Sequence, residues 1–193
     1  MAIGENVSPR SFINNQYRVP DIKVAIAGQF VVGSQTLTLQ TGSAPHFLDL
    51  TLAVNSLVEQ LDVLAGTVLV FSKHTTAAIV ANEHEPLLLD DIADLLSRMA
   101  PPSGGYRHDD MAIRTVNLTP NEAKNGHAHC QHLFLGSSIQ FPVIDGRLEL
   151  GQWQRIFLVE LDSPRTRQVV VQVSGVGASH CIPVDGAQSR SNI

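Results

Sequence analysis

Histidine is the residue whose number and placing in this chain could do chemistry; the sequence holds eight. His74 closes an apolar run in KHTT, His108 lies in YRHDD, and His127, His129 and His132 crowd into NGHAHCQH. Neutral imidazole is the commonest metal-ligating side chain and the usual acid–base group near neutral pH. His129 and His132 have the spacing of one helical face, whereas His127 and His129 share a face only in a strand. All three therefore cannot converge from one regular element. The spacing matches no zinc signature, and HEP at 84–86 is not HExxH. An arbitrary histidine is more often exposed or satisfied by hydrogen bonds than a ligand. Arginine gives a second clue. Arg165 and Arg167 stand in DSPRTR between two predicted strands, and guanidinium forks match phosphate oxygens. The plainer alternative is a solvated turn with Asp162 as partner. Asp90, Asp91 and Asp94 read as a solvated helix face rather than a metal cluster, with Asp94 and Arg98 at ion-pair spacing.

Several elements must position these residues. TLTLQT at 36–41 alternates as a strand does. Leu50, Val54, Leu57, Leu61 and Leu64 recur as an amphipathic helix that Gly66 closes. TVLVFSK at 67–73 and AAIVAN at 77–82 read as strands. A second helix starts near Glu85, with Pro86 at the first helical position and Leu88, Ile92, Leu95 and Met99 as its buried stripe. Pro101 and Pro102 stop it. Residues 101–126 form a long polar loop of the kind that often carries function, and Asn125 caps a short helical turn. SIQFPVI and RLELGQW flank Asp145-Gly146, a hairpin signal, and RIFLVEL and RQVVVQVSG complete a β-rich half. The consecutive β-branched residues Val169 to Val171 are those of a strand buried on both faces. The expected organisation is an N-terminal arm over 1–20, one domain over 21–176 and a polar tail over 177–193.

Composition narrows the partners. A chain of 193 residues with 44% hydrophobic residues supports one domain with a sizeable core. Charged residues make up only 16%, against about 25% in an average soluble protein. That scarcity suggests surface buried against copies of the same chain. A net charge of −5 and the lack of a Lys/Arg run argue against nucleic acid. No stretch approaches the ~18 apolar residues of a membrane span. The first twenty residues lack an apolar signal core, and Cys130 and Cys181 form no CxxC pair, so the expectation is a cytoplasmic protein with reduced thiols.

Taken in order, the motifs are His74-Thr75-Thr76, Asn82-Glu83, Tyr106-Arg107-His108, Asn125-Gly126-His127-Ala128-His129, Leu150-Gly151-Gln152-Trp153-Gln154 and Asp162-Ser163-Pro164-Arg165-Thr166-Arg167. This ordered set resembles the YjbQ-like family, also called the secondary thiamine-phosphate synthase family, from about the first helix to the last strand. The resemblance implies an α+β fold: a single domain of antiparallel β-sheets packed with two main helices, assembled as a homotrimer. It implies a pocket in which His74, His108 and His129 hold a divalent metal ion, zinc-like or magnesium, or else a sulfate-like anion. Glu83, His108 and Arg165 would be catalytic, and Asn82, Trp153, Arg165 and Arg167 would bind a phosphorylated small molecule. Two departures stand out: Cys130 follows the motif histidine where Leu is common, and Ser163 replaces the usual Gly before Pro-Arg. The attributed activity is thiamine-phosphate formation. A metal-dependent hydrolase and a non-catalytic trimeric binding protein for a phosphorylated metabolite are the alternatives.

Overall fold

The structure, a computed structural model, describes residues 28–177. The expected arm over 1–20 and the tail beyond Gly177 lie outside the described residues. In chain order the elements are β1 (Phe30–Gln40), β2 (His46–Asp49), α1 (Thr51–Gln60), β3 (Val63–Ser72), β4 (Ala77–Asn82), α2 (Pro86–Met99), a single 3-10 turn (Arg107–Asp109), α3 (Gly126–Leu135), β5 (Ser138–Ile144), β6 (Arg147–Leu148), β7 (Arg155–Glu160) and β8 (Thr166–Gly177). Every strand pairing is antiparallel. One sheet has the order β1-β8-β3-β5-β6 and the other β2-β7-β4. The expected α+β domain of antiparallel sheets is thus the fold.

Period-two alternation explains the larger sheet. Val68 and Val70 on β3, Val169, Val171 and Val173 on β8, and Phe141 and Val143 on β5 all point to one face and are buried. They pack on Ile79, Ile156 and Leu158 of the smaller sheet, and α1 closes this core with Val54, Leu57 and Val58. Burying an aliphatic side chain of this size contributes roughly 1.5–3 kcal/mol. The opposite face of the smaller sheet presents Ala78, Phe157, Val159 and Leu161, covered by Leu96 of α2 and Ala128 of α3. The layers run larger sheet, smaller sheet, helices. β7 accordingly lies buried from Ile156 to Glu160.

Some expected elements shift. The first helix ends at Gln60, so Leu64 and Gly66 belong to β3. Asp62 takes a left-handed turn (φ 48°), which breaks the helix before the apolar spacing does. Gly66 is needed where β3 crosses β8, since a Cβ there would collide with the Ser174 carbonyl. α2 begins as expected: the Glu85 carboxylate accepts from the N–H groups of Leu87 (3.0 Å) and Leu88 (2.7 Å), with Pro86 following. Its buried face differs. Leu96 is 3% exposed, whereas Leu95 and Met99 are 47% and 45% exposed. Gln131 on α3 sets this rotation by donating from Nε2 to the Leu96 and Ala100 carbonyls at 3.1 and 3.0 Å. The helical turn expected after Asn125 is a full helix, α3, making a third. The strand expected over RLELGQW is confined to Arg147–Leu148. Finally, Val169 and Val171 are buried but Val170 faces outward on the larger sheet, which is covered on one side only among the described residues.

Candidate functional site

β3 and β4 are joined by a turn, so Thr76 and His74 stand at one end of the smaller sheet. The end of β7 and the start of β8 bring Glu160, Asp162, Arg165 and Arg167 to the same end. The base of this cluster is a buried ion pair. Glu160 is fully buried and Arg167 is 3% exposed. Arg167 Nε donates to Glu160 Oε2 at 2.6 Å and Nη2 donates to Oε1, while Nη2 also reaches Thr76 Oγ1 at 3.0 Å. Thr41 Oγ1 donates to Glu160 Oε2 at 2.8 Å, and the Asp162 N–H donates to Oε1 at 3.0 Å. Burial alone would raise the Glu160 carboxyl, but the Arg167, Asp162 and Thr41 donors outweigh it and hold the group below its ordinary range.

Above that base, Asp162 joins two halves. Its Oδ2 accepts from Asn125 Nδ2 (2.9 Å) and from Arg165 Nη2 (2.6 Å). Arg165 Nη2 also donates to Ser163 Oγ at 2.5 Å, so Ser163 itself holds the arginine. The Arg165 side chain is 38% exposed and faces solvent, whereas Arg167 lies beneath, forked on Glu160. Asn125 leads into α3, which carries His129. The 3-10 turn carrying His108 is pinned to the same helix, because Asp109 Oδ1 accepts the Gly126 N–H at 2.9 Å. Gly126 fits since a Cβ there would strike Tyr106. Arg114 secures the long loop by donating to Glu122 Oε1 (3.1 Å) and to the Asn117 carbonyl (2.9 Å).

The result is a histidine pair. The His108 and His129 rings lie edge to face with centroids 4.6 Å apart. Buried His108 Nε2 has no hydrogen-bond partner, and neither do Asn125 Oδ1 and His127 Nδ1 close by. Unpartnered buried polar atoms carry a desolvation cost that a ligand can relieve. His74 Nε2 accepts the Gln168 N–H at 2.7 Å, which places the proton of a neutral ring on Nδ1. Burial, then the Arg167 guanidinium, lowers the His74 pKa; burial, then His108, lowers that of His129. A cleft of about 410 Å³ beside Asp162 and His127 runs toward α2.

The expected residues therefore divide. His74, His108, His129, Arg165 and Arg167 share one end of the smaller sheet. Asn82, the last residue of β4, pairs with Arg155 at the opposite end of the smaller sheet, and Glu83 and Trp153 lie just beyond that end. There Asp49 Oδ2 binds Arg155 Nε (2.8 Å) and His84 Nδ1 (3.2 Å), and Trp153 is 64% exposed. Sequence reasoning missed Glu160 and Thr41. A carboxylate inside the apolar run RIFLVEL was the available signal, since a buried charge demands a partner.

The expected metal can be tested against these donors. Three imidazoles do not fit as arranged, because His74 Nε2 is already engaged with Gln168. Magnesium prefers free carboxylates, and here Glu160 is closed by Arg167 while Asp162 is shared by Asn125 and Arg165. Among the described residues no three His, Cys, Asp or Glu side chains are disposed to hold an ion. An anion suits this end better, with Arg165 and the His74 Nδ1–H as donors.

The lowered histidines predict an acid response. Burial is the first cause of the shift for His74, His129 and His132 alike. The unfolded chain, with values near 6.5, then takes up protons at higher pH than the folded chain does. Their stabilising contribution is complete above that pH and is lost as pH falls through the folded values. Melts in ligand-free buffer should show Tm falling from about pH 7.5 to about pH 5.5. A Tm that stays level or rises over that interval would refute the histidine contribution.

A small sheet buried between a larger sheet and helices, with a histidine–arginine cluster at one end, defines a β/β/α single-domain protein. The family model described as UPF0047 protein YjbQ-like matches residues 35–176, and the chain belongs to that family. A UPF0047 protein of Archaeoglobus fulgidus is 40% identical over 70% of this chain and 97% of its own. A crystal structure from Sulfolobus solfataricus P2, described as a YbjQ-like protein of unknown function, is 37% identical, with a TM-score of 0.69 over 76% of this chain and 99% of that one. A family structure from Clostridium acetobutylicum gives 34% identity and a TM-score of 0.63 over 72% and 98% of the respective chains. Among the described residues no helix is long and apolar enough to cross a membrane.

Proposed function

We propose that the chain is an enzyme acting on a phosphorylated small molecule, with thiamine-phosphate formation as the named candidate, and that the His74–His108–His129 end holds the phosphate. The observation that carries this reading is the buried, unpartnered Nε2 of His108, whose ring meets His129 edge to face, beside the solvent-facing Arg165. Arg165 and the His74 Nδ1–H would hold phosphate oxygens. His129, whose pKa burial and His108 hold low in the free chain, would take a proton as the anion arrives, because a bound negative charge favours imidazolium. Arg167 keeps its place beneath as the partner of Glu160. Glu83 and Trp153 lie at the opposite end of the smaller sheet, away from this cluster among the described residues. The working form is a homo-oligomer, most simply a trimer, of cytoplasmic location.

Inorganic phosphate titrated by calorimetry is the first test. Binding should tighten as pH falls from about 8 to about 6, with proton uptake read from buffers of different ionisation enthalpy. Incubation with the pyrimidine pyrophosphate and thiazole phosphate precursors then tests turnover. Phosphate affinity independent of pH would defeat the histidine reading, and binding without turnover of the precursors would defeat the named reaction.

A further inference from the structure

The cleft of about 410 Å³ between α2 and α3 has a lining that the phosphate reading does not use. Its walls are apolar: Pro45 before β2, Ala93 and Leu96 on α2, and Leu161 just past β7. Its polar groups come chiefly from α3 and from Asp162. His127 and Gln131 are four residues apart and share the α3 face turned to the cleft, while His129 lies on another face, against His108. The volume falls at the low end of the ~300–1,000 Å³ of small-molecule clefts. Asp162 is where the cleft meets the arginine end of the smaller sheet, because the same carboxylate accepts from Arg165 Nη2 at 2.6 Å.

Hydrogen bonding around this lining is lopsided. The amide donors are spent: Gln131 Nε2 donates to the Leu96 and Ala100 carbonyls, and Asn125 Nδ2 donates to Asp162 Oδ2. The acceptors are left over. The Asp162 side chain is only 4% exposed, and among the described residues its Oδ2 takes the bonds from both Asn125 and Arg165 while Oδ1 accepts none. Asn125 Oδ1 and His127 Nδ1 are buried without partners. A carboxylate oxygen held out of water without a donor is costly, and a carboxylate can only accept. The group that relieves it is an N–H donor, best a cationic one, since charge-assisted hydrogen bonds are roughly twice as strong as neutral ones. We propose that the ligand held at Arg165 by its phosphate also carries an amine, which donates to Asp162 Oδ1, and that its apolar remainder lies in the cleft between α2 and α3. The proposal rests on phosphate binding at Arg165 and adds the class of molecule, an amine-bearing organic phosphate. The Asp162–Arg165 ion pair sets the order of the groups. A phosphate on Arg165 takes up the guanidinium charge that Asp162 holds in the free chain, and the ligand's ammonium replaces it on the other oxygen of that carboxylate. Amine and phosphate are therefore near neighbours in the molecule, with the apolar portion beyond the amine. A second acidic group at that position is disfavoured by the same carboxylate.

Calorimetric titration of the full chain with ethyl phosphate, aminoethyl phosphate and N-benzylaminoethyl phosphate is the test. Wild type should bind aminoethyl phosphate about tenfold tighter than ethyl phosphate, as one charge-assisted hydrogen bond allows. The benzyl compound should bind about tenfold tighter again as its ring leaves water. Asp162→Asn should bring the ratio of aminoethyl to ethyl phosphate affinity close to unity. Ala93→Phe, which fills the cleft from α2, should do the same to the ratio of benzyl to aminoethyl compound. A ratio taken within one variant is insensitive to a general loss of phosphate affinity, circular dichroism reports whether each variant folds, and the wild-type ratios stand without either. Equal wild-type affinity for ethyl and aminoethyl phosphate would overturn the inference and leave the phosphate reading in place. Binding of none of the three would overturn both. An amine preference that survives Asp162→Asn would remove Asp162 as its acceptor, and a benzyl gain that survives Ala93→Phe would remove the cleft as the seat of the apolar portion.

Discussion

Glu160→Ala is expected to destabilise the protein by ~3–5 kcal/mol, because it strands the Arg167 guanidinium in an interior that excludes water. For a chain of this size that corresponds to a Tm loss of roughly 6–20 °C. The mechanism is specific. Arg167 is 3% exposed, and its Nε and Nη2 both donate to Glu160. The Asp162 N–H would also lose its acceptor, and Thr41 Oγ1 would keep only the Arg165 carbonyl. The paired substitution Glu160→Leu with Arg167→Met removes the charge problem and should recover much of the loss, since a buried ion pair replaced by apolar side chains of similar volume is often neutral. Calorimetric melts of the two variants decide the matter. If Glu160→Ala melts within ~2 °C of wild type, the pair is no foundation for this end of the sheet.

His129→Ala should instead weaken phosphate binding at least tenfold, or by ~1.4 kcal/mol, while the fold persists. His129 is half-buried on α3 and meets its neighbours chiefly through the His108 ring, so no buried partner is left charged by its removal. Melting and phosphate titration should be run on the same preparation, with the melt in phosphate-free buffer, because a ligand bound only by the folded form raises apparent stability by itself. Glu83→Gln, at the far end of β4, is the control and should change neither quantity. A lowered melt with phosphate affinity preserved would make His129 structural and remove it from the site.

How much of this could be read before folding depends on where each determinant lies. Asp145-Gly146 announced its hairpin because a left-handed turn at both positions (φ 51° and 76°) suits few other pairs. Glu85-Pro86 announced the start of α2 because capping is a local matter. The rotation of α2 was illegible, since Gln131 and the buried face of the smaller sheet decide it from elsewhere in the chain. α3 was legible only as its first turn: three histidines interrupt the apolar period that marks a helix. At the site, motif order nominated His74, His108 and His129, but spacing could not tell that two of them meet edge to face while the third offers its Nε2 to Gln168. Nor could it separate Arg165 from Arg167, two residues of one type and one strand parity, of which one faces solvent and the other is forked on a buried carboxylate. Local sequence proposes the donors, and the tertiary environment assigns their duties.

The joint between Asn125 and Asp162 has a mechanical consequence. His108 and His129 ride on the helical layer, because Asp109 ties their turn to α3 and Gln131 ties α3 to α2. Arg165 and His74 ride on the sheets. The two jaws are spanned at Asp162 by the Asn125 hydrogen bond. A phosphate gripped from both sides would therefore act as a rivet between layers. Its grip would be felt as stiffness along the seam, and a strain that slid α3 across the smaller sheet would loosen the ligand before it disturbed either core.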